Sequence, residues 1–192
     1  MNITNRVPHS RRRLLPALLL AAFPLAVLAG SALAANLVAN GSFEKDTNGD
    51  GIPNNWGTQD LDLADKRVCN QSYAGSCSFK FTDGGGTTAN EAILQIINVS
   101  GSAGDTFTLS WWTKTRDLVN GGGYSIVRIY IDHTDGSFDG NESLPLSEGT
   151  TNWTKDQFSS QSTEPYDSIR VVIIYTSEGG KTWFDKVKLV GP

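Results

Sequence analysis

The chain has 192 residues, of which 39% are hydrophobic and 19% charged, and its formal net charge at pH 7 is −4. Residues 1–34 hold four of the 16 Lys and Arg and none of the 20 Asp and Glu, so residues 35–192 carry a net charge of −8. This acidic balance argues against nucleic acid or an anionic membrane as the partner, and it is compatible with cations and neutral polymers.

The N-terminal 34 residues have the pattern of a secretory signal peptide. An arginine run (Arg11–Arg13) precedes an apolar stretch from Leu14 to Leu28, and Ala32 and Ala34 then form an A-x-A cleavage site. The apolar stretch is short for a membrane-spanning helix, which needs about 20 residues. Because "SRRRLL" also resembles a twin-arginine signal, both export routes stay open. We expect residues 35–192 to form one exported domain, at the cell surface, in the periplasm or secreted.

The stretch "FEKDTNGDGIPNNW" near the start of that domain has features of a calcium loop. Asp46, Asn48 and Asp50 stand at alternate positions, and Gly51 supplies the turn. The twelfth position is Gly57 rather than the bidentate Glu of an EF-hand, so a calcium sensor is not expected. Two interpretations stay open: a local calcium clip, or an Asx-rich turn whose side chains bond their own backbone.

The two cysteines, Cys69 and Cys77, are close together in the chain. In an exported protein such a pair favours a local disulfide that closes a hairpin. Because the closed loop is short, we expect a contribution of about 2–3 kcal/mol to stability. A redox-active pair more often has C-x-x-C spacing.

The remainder of the domain has the composition and alternation of β-strands. Runs rich in Val, Ile, Thr and aromatic residues are separated by Gly, Asn, Asp and Pro clusters, and no amphipathic helix is evident. The predicted strands lie in "ANLVANGSF", "SCSFKFT", "AILQIINV", "DTFTLSWWTKT", "YSIVRIYID", "NWTKDQFS", "SIRVVIIYT" and "TWFDKVKLV". This number of short strands predicts an all-β fold, a two-sheet antiparallel β-sandwich.

Alternation along each run predicts which side chains face the core. In "TFTLSWWTK", Trp111 is predicted to lie on the inner face and Trp112 on the outer face. In "SIRVVIIYT" the face opposite the core carries Arg170, Val172 and Ile174, which is apolar for a solvated surface. A run that is apolar on both faces indicates a central strand whose outer face is covered or used.

Five motifs in order resemble one group of proteins. "NLVANGSFE", "DGIPNNW", "SYAGSCSFKF", "GDTFTLSWWTK" and "TWFDKVKLV" resemble the carbohydrate-binding modules of families four, nine, sixteen and twenty-two, with their galactose-binding-like fold. The resemblance covers essentially all of residues 35–192. It implies a jelly roll of two antiparallel sheets, in which one concave sheet carries a glycan groove lined by aromatic residues. Fold alone does not establish function.

The same resemblance implies a structural calcium ion near the chain ends. Carried over by motif, Glu44 and Asp185 would supply carboxylates, and backbone carbonyls around Ser72–Gly75 would complete the shell. Calcium takes six to eight hard oxygens, often from segments distant in sequence. The alternative is that Glu44 is a solvated strand-end residue and Asp185 a turn acid.

The candidate ligand-binding residues are outward-facing side chains that suit a sugar, whose apolar CH faces stack on aromatic rings. They are Trp112, Tyr130, Arg128, Tyr124 and Trp183. Trp183 is equally compatible with core or sheet-edge packing. Trp111, Trp56 and Phe184 are expected in the core, where large aromatic residues are usually buried.

Sequence motifs of catalysis are missing, so we expect a protein that is not an enzyme. There is no G-x-S-x-G, H-E-x-x-H or P-loop pattern. His133 is the one histidine after the predicted signal, and its neighbours resemble a strand-end turn more than a metal cluster. A glycosidase needs two facing carboxylates. Sequence leaves such a pair open among the acids that we expect to face outward, namely Glu91, Asp132, Glu142 and Glu178.

Three hypotheses follow from the sequence. The first is a secreted, calcium-stabilised module that binds a polysaccharide or glycan. The second is a cell-surface or matrix protein that uses the same fold to contact other proteins or to assemble. The third is a small glycanase or lyase.

Overall fold

Ten β-strands form two antiparallel five-stranded sheets in the computed structural model, which describes residues 35–82 and 90–192. The strands are β1 (Gly57–Gln59), β2 (Lys66–Val68), β3 (Ser78–Thr82), β4 (Glu91–Ile97), β5 (Thr106–Val119), β6 (Ser125–His133), β7 (Phe138–Glu142), β8 (Gly149–Gln161), β9 (Tyr166–Tyr175) and β10 (Gly179–Val190). The described ranges contain no helix, so the predicted all-β sandwich is confirmed. None of their segments is a helix able to cross a membrane. The predicted signal peptide lies outside the described residues.

We call the sheet with the order β1-β4-β9-β6-β7 the front sheet, and the sheet with the order β2-β3-β10-β5-β8 the back sheet. Strands that are neighbours in sequence are often placed in different sheets, as with β4 and β5, or β9 and β10. Each sheet therefore pairs segments that are far apart in the chain, and the outer surfaces of the two sheets are separate faces of the molecule.

The core lies between the inner faces of the two sheets, and the alternation predicted for the strands is observed. Phe107, Leu109 and Trp111 of β5 are buried, whereas the intervening residues are partly exposed. Phe184 and Trp56 are also buried, as expected. Complete burial of a large apolar side chain contributes about 1.5–3 kcal/mol, so the aromatic core supplies much of the driving force for folding.

The opening run "ANLVANGSF" was predicted as a strand and does not form one. Asn40 and Phe43 have φ values of 50° and 56°, a left-handed conformation that interrupts an extended chain. The segment still bonds to β10, because the Leu37 N–H donates to the Leu189 carbonyl at 2.9 Å. It thereby ties the start of the domain to its last strand.

The predicted disulfide between Cys69 and Cys77 is present. Val68 of β2 pairs with Ser78 of β3, so the disulfide lies at the turn end of this hairpin. It closes the turn that carries Tyr73, whose ring stacks on Trp112 of the back sheet.

The expectation that Glu91 faces outward is wrong, because its side chain is buried with only 4% of the residue exposed. Glu91 pairs with Tyr175 in register and shares the inner face of β4 with Ile93. Burial, together with the charges of Asp65 and Asp62, raises the pKa of Glu91 to about 8. The carboxyl group is therefore mostly protonated at neutral pH, which reduces the cost of burying it.

Candidate functional site

The outer face of the front sheet carries a groove of about 320 Å³ with an apolar floor. Ala92 and Leu94 of β4 and Val172 and Ile174 of β9 form this floor. These β9 side chains are the ones whose outward apolar character was unusual in the sequence. Their apolar character follows from their position, because β9 is the central strand of the front sheet and its outer face lines the groove.

Tyr130 is the centre of a cluster at one side of the groove. The guanidinium carbon of Arg170 lies 4.5 Å from the centroid of the Tyr130 ring, and that of Arg128 lies 5.7 Å from it. Phe138 meets Tyr130 edge to face at 5.3 Å, and it is 56% exposed. Gly140 lies opposite Tyr130 in β7 and leaves room for its ring. The cluster therefore offers aromatic surface with two cations against it.

Both arginines are held in place by carboxylates. Arg170 donates from Nε and Nη2 to the two carboxylate oxygens of Asp132, at 2.8 and 2.6 Å. Arg128 donates to Glu142 from Nε at 2.7 Å and also from Nη2, and its Nη1 donates to the Tyr130 hydroxyl at 2.8 Å. The hydrogen bonds that Arg170 donates to Asp132 raise the pKa of Arg170. These contacts fix the guanidinium planes before any ligand arrives.

Tyr124 lies at the other end of the groove. It packs against the outer-face cluster formed by Ala92, Ile126 and Ile174. Its N–H donates to Thr176 Oγ1 at 2.8 Å, which anchors the start of β6 beside the end of β9. At a rise of about 3.3 Å per residue, Tyr124 and Tyr130 are about 20 Å apart along β6. The groove is thus long enough for several sugar units.

Three of the five predicted ligand-binding residues, Tyr130, Arg128 and Tyr124, line this one groove. Sequence reasoning did not select Arg170 or Phe138 as ligand residues. Arg170 had a signal, because it precedes the unexpectedly apolar outer face of β9. Phe138 had none, because β7 is a short strand that was not predicted.

The other two candidates, Trp112 and Trp183, lie on the back sheet and cannot join the groove. The Tyr73 ring stacks on Trp112 with a centroid distance of 3.5 Å and also meets the edge of Trp153 at 6.2 Å. Trp183 is only 7% exposed. Alternation predicts that both residues point outward, but it does not say which sheet carries them.

Glu44 and Asp185, the predicted calcium ligands, meet at the turn of the β2–β3 hairpin. Asp185 is fully buried, and its Oδ2 accepts hydrogen bonds from the Tyr73 and Ala74 N–H groups at 2.9 and 3.0 Å. Glu44 Oε1 accepts one from the Ser76 N–H at 2.9 Å. Burial raises the pKa of the Asp185 carboxyl. The hydrogen bonds that it accepts from backbone N–H groups partly oppose this rise.

This arrangement fits calcium in part. Two carboxylates from opposite ends of the domain converge on one turn, and Glu44 Oε2 accepts no hydrogen bond from any described residue. Hard oxygens from distant segments are what calcium prefers. The remaining oxygens would come from backbone or side-chain carbonyls and water, since no group of three or more His, Cys, Asp or Glu within residues 35–82 and 90–192 is placed to hold a metal ion.

The loop that contains Asp46, Asn48 and Asp50 is tied to its own backbone. Asp46 accepts hydrogen bonds from the Gly49 and Gly51 N–H groups at 2.9 and 3.1 Å. Asp50 accepts one from the Asn48 side chain at 2.7 Å. These are the contacts of an Asx-type turn, and a calcium loop makes similar ones, so both interpretations persist.

His133 has hydrogen-bond partners on both ring nitrogens. Nδ1 lies 2.8 Å from Ser137 Oγ, and Nε2 lies 2.8 Å from Asp139 Oδ2. His133 is buried at the β6–β7 turn. Its contacts hold that turn together, as expected for a strand-end residue.

A larger cavity of about 580 Å³ lies between β8 and the segment 143–148. Its aromatic residues, Trp111 and Phe158, pack edge to face at 5.6 Å, and Trp111 is 1% exposed. Trp111 belongs to the core, and the half-buried Phe158 packs against it.

Comparison with known proteins gives the same architecture. No protein-family model matches the chain, and no curated protein matches it. A family 16 carbohydrate-binding module aligns with 81% of this chain and 99% of its own, at 22% identity and a TM-score of 0.57. A family 61 module, solved in complex with β-1,4-galactotriose, aligns with 83% of this chain and 100% of its own, at 16% identity and a TM-score of 0.57.

A xylan-binding CBM22-1 domain from Paenibacillus barcinonensis aligns with 82% of this chain and 95% of its own, at 14% identity and a TM-score of 0.55. The chain has the fold of a carbohydrate-binding module. The resemblance found in the sequence is therefore confirmed for the fold, and at these identities the likeness concerns the fold alone.

Proposed function

We propose that the protein is an exported, non-catalytic carbohydrate-binding module that holds a polysaccharide in the groove of the front sheet. The observation that carries the proposal is the groove itself. It combines an apolar floor, the half-buried Tyr130 ring with exposed Phe138 packed against it, and arginines whose positions are fixed by carboxylates. The fold supports the class of ligand, because the solved structures with the same architecture include carbohydrate-binding modules.

Each part of the groove has a role in binding a sugar chain. The CH face of a pyranose ring packs on Tyr130 or Tyr124, and the floor residues Val172 and Leu94 displace water beneath the chain. Arg170 uses Nε and Nη2 to bind Asp132, and its Nη1 donates to none of the described residues. That N–H group is suited to donate to a sugar hydroxyl at little entropic cost, because the side chain is already held.

The carboxylates near the groove favour binding over hydrolysis. Asp132 and Glu142 are each paired with a guanidinium group, so their oxygens are already engaged by Arg170 and Arg128. A glycosidase needs a carboxylic acid that remains protonated to donate to the leaving group. Glu91, which does have a raised pKa, is on the inner face of β4 and does not line the groove.

Calcium belongs to the proposal as a structural ion. Glu44 and Asp185 would hold it against the β2–β3 turn, and it would link the first segment of the domain to β10. An ion that binds only the folded state stabilises that state by mass action. The loop at Asp46 and Asp50 is a second candidate position for such an ion.

Affinity electrophoresis of the exported domain tests the proposal. The panel contains soluble β-1,4-galactan, xylan, mannan and β-glucan, of which the first two correspond to the ligands of solved structures with this fold. We expect retardation on at least one polymer, and its loss in Tyr130→Ala. A matched control is Tyr73→Ala, an exposed tyrosine on the other face. No retardation on any polymer, or equal retardation of Tyr130→Ala and wild type, would contradict groove binding.

Two further measurements test the alternative hypotheses, catalysis and assembly. Release of reducing ends or of unsaturated products would show an enzyme instead, and size-exclusion chromatography that gives a stable oligomer would favour the assembly hypothesis. We expect a monomer that leaves the polymers intact.

A further inference from the structure

The outer face of the back sheet carries a cluster of cations in register. Lys66 of β2 pairs with Lys80 of β3, Lys80 pairs with Trp183 of β10, and Trp183 pairs with Lys114 of β5. In the adjacent part of the sheet, Lys181 pairs with Arg116. We call these five basic residues the cationic face: Lys66, Lys80, Lys114, Arg116 and Lys181.

The cationic face contrasts with the charge of the domain. It gathers five of the twelve Lys and Arg of residues 35–192, although those residues carry a net charge of −8. Among the described residues, its four lysines form no ion pair, and Arg116 has only a 3.7 Å contact with the highly exposed Asp117. Of the other acids on this sheet, Asp185 is buried against the β2–β3 turn and Asp156 lines the cavity beside Trp111.

Cations in this arrangement oppose one another. Like charges that are directly paired across strands destabilise a sheet, and here Lys66 faces Lys80 and Lys181 faces Arg116. Burial lowers the pKa of Lys80, and the charges of Lys181 and Lys66 lower it further, against the opposing effect of the buried Asp65. An anionic ligand would relieve this repulsion, because it supplies negative charge beside lysines that form no ion pair within the described residues.

We propose that the cationic face is a second binding surface, which takes an acidic polysaccharide whose sugar units carry carboxylates. This rests on the proposed function for the choice of a glycan, and on charge complementarity for the acidic class. Neighbouring strands lie about 4.8 Å apart, so a chain that crosses the strands meets Lys66, Lys80 and Lys114 in turn. The flexible lysine stems adjust each ammonium group to a carboxylate.

Trp183 supports the cationic face from its centre. Lys80 and Lys114 flank it in register, and long lysine stems cover neighbouring apolar surface, so the indole is only 7% exposed although it points outward. Recognition here is therefore electrostatic. The nearby Trp112 ring is stacked on Tyr73, so one face of its indole is already occupied.

Because the front groove and the cationic face lie on opposite sheets, we expect each of them to bind its ligand independently of the other. A polyuronate should bind the back sheet while a neutral polysaccharide occupies the front groove. Tyr130→Ala should then lose the neutral polymer and retain the polyuronate, and changes to the cationic face should do the reverse.

Isothermal titration calorimetry of the exported domain with polygalacturonate, at low and at physiological salt, tests the inference. We expect binding that weakens with salt, and a loss of about tenfold in affinity when Lys80→Gln and Lys114→Gln are combined, equivalent to two exposed ion pairs. The control combines Lys45→Gln and Lys188→Gln, which removes the same charge outside the five residues of the cationic face; Lys188 is on the same sheet but further along β10, opposite Ser110. Fully methyl-esterified polygalacturonate, which lacks the charge, should not bind the cationic face.

Three results would overturn the inference. They are no binding of polygalacturonate at low salt, equal affinities of the two double variants, or equally tight binding of duplex DNA, which would indicate unselective attraction of polyanions. Failure of the front groove gives a different pattern. The neutral polymers then do not bind, while the lysine-dependent binding of polygalacturonate persists.

Discussion

Arg170 and Tyr130 are directly paired across β9 and β6, and the guanidinium carbon of Arg170 lies 4.5 Å from the centre of the Tyr130 ring. Asp132 holds the same guanidinium through two hydrogen bonds. The tyrosine, arginine and aspartate therefore form one fixed unit beside the apolar floor of the groove. Its geometry depends on a planar cation that can stack and pair at the same time.

Replacement of Arg170 by lysine should disrupt this unit without removing its charge. Lys cannot make the two parallel bonds to Asp132 or stack its plane on Tyr130, so we expect glycan affinity to fall by about fivefold, or about 1 kcal/mol. The measurement is affinity electrophoresis on the polymer that the wild type binds. Arg116→Lys, on the back sheet, is the control. Wild-type affinity in Arg170→Lys would show that the planar contact has no part in binding.

Buried Glu91 should make the stability of the domain depend on pH. Burial and the neighbouring acids raise its pKa to about 8, so the folded state binds this proton more tightly than the unfolded chain, where the pKa is near its ordinary value of 4.5. The free energy of unfolding should therefore be highest below about pH 4.5 as far as this group is concerned, and should decrease up to about pH 8. Asp65, whose pKa burial also raises, acts in the same direction.

Urea denaturation between pH 4.5 and 8.5 measures this dependence. Glu91→Gln keeps the shape of the protonated side chain and removes the titration, so its stability should vary less with pH than that of the wild type. Glu164→Gln, at an exposed position, should follow the wild type. Parallel curves for wild type and Glu91→Gln would rule out Glu91 as the source.

Chelation should lower the melting temperature if calcium binds as proposed. At a free calcium concentration of 100 times Kd, the ion would add about 2.7 kcal/mol to the free energy of unfolding. Melting curves with calcium and with EDTA give the shift, which should vanish when Glu44→Gln and Asp185→Asn are combined. Because Asp185 also accepts backbone hydrogen bonds, the readout is the calcium-dependent shift and not the melting temperature itself.

The loop is tested separately with Asp46→Asn combined with Asp50→Asn. A partial loss of the shift would assign a second ion to the loop, and an unaltered shift would leave the loop as an Asx-type turn. An identical melt with calcium and with EDTA in the wild type would remove calcium from the proposal altogether.

Removal of the disulfide should destabilise the domain by about 2–3 kcal/mol, because Cys69 and Cys77 close a short loop. The double variant Cys69→Ser and Cys77→Ser should also release the turn that places Tyr73 over Trp112. Tryptophan fluorescence during urea denaturation measures both effects. Unaltered stability and an unaltered native spectrum would mean that the hairpin holds this turn without the disulfide.

Local patterns in the sequence were enough for most of the long strands and their faces, although they also predicted a strand in the opening run and an outward-facing Glu91. Alternation separated buried Trp111 from partly exposed Trp112, and the apolar outer face of β9 marked a strand whose surface is used. The spacing of Cys69 and Cys77 was sufficient for the disulfide. These features depend on contacts between residues that are close in sequence or on a period of two residues, and both can be read directly from the amino-acid sequence.

The composition of each face was decided by the tertiary structure. Trp112 and Tyr130 both point outward by alternation, yet β5 belongs to the back sheet and β6 to the front sheet. Arg170 reaches Tyr130, and Lys66 meets Lys80 and Lys114 around Trp183, through strand pairings between distant segments. The physical reason is that alternation depends on a single strand, whereas the pairing of strands depends on how the whole chain buries its apolar surface. The sequence by itself therefore determined a two-sheet sandwich with outward aromatic residues, and only the tertiary structure separated them into a neutral groove and a cationic face.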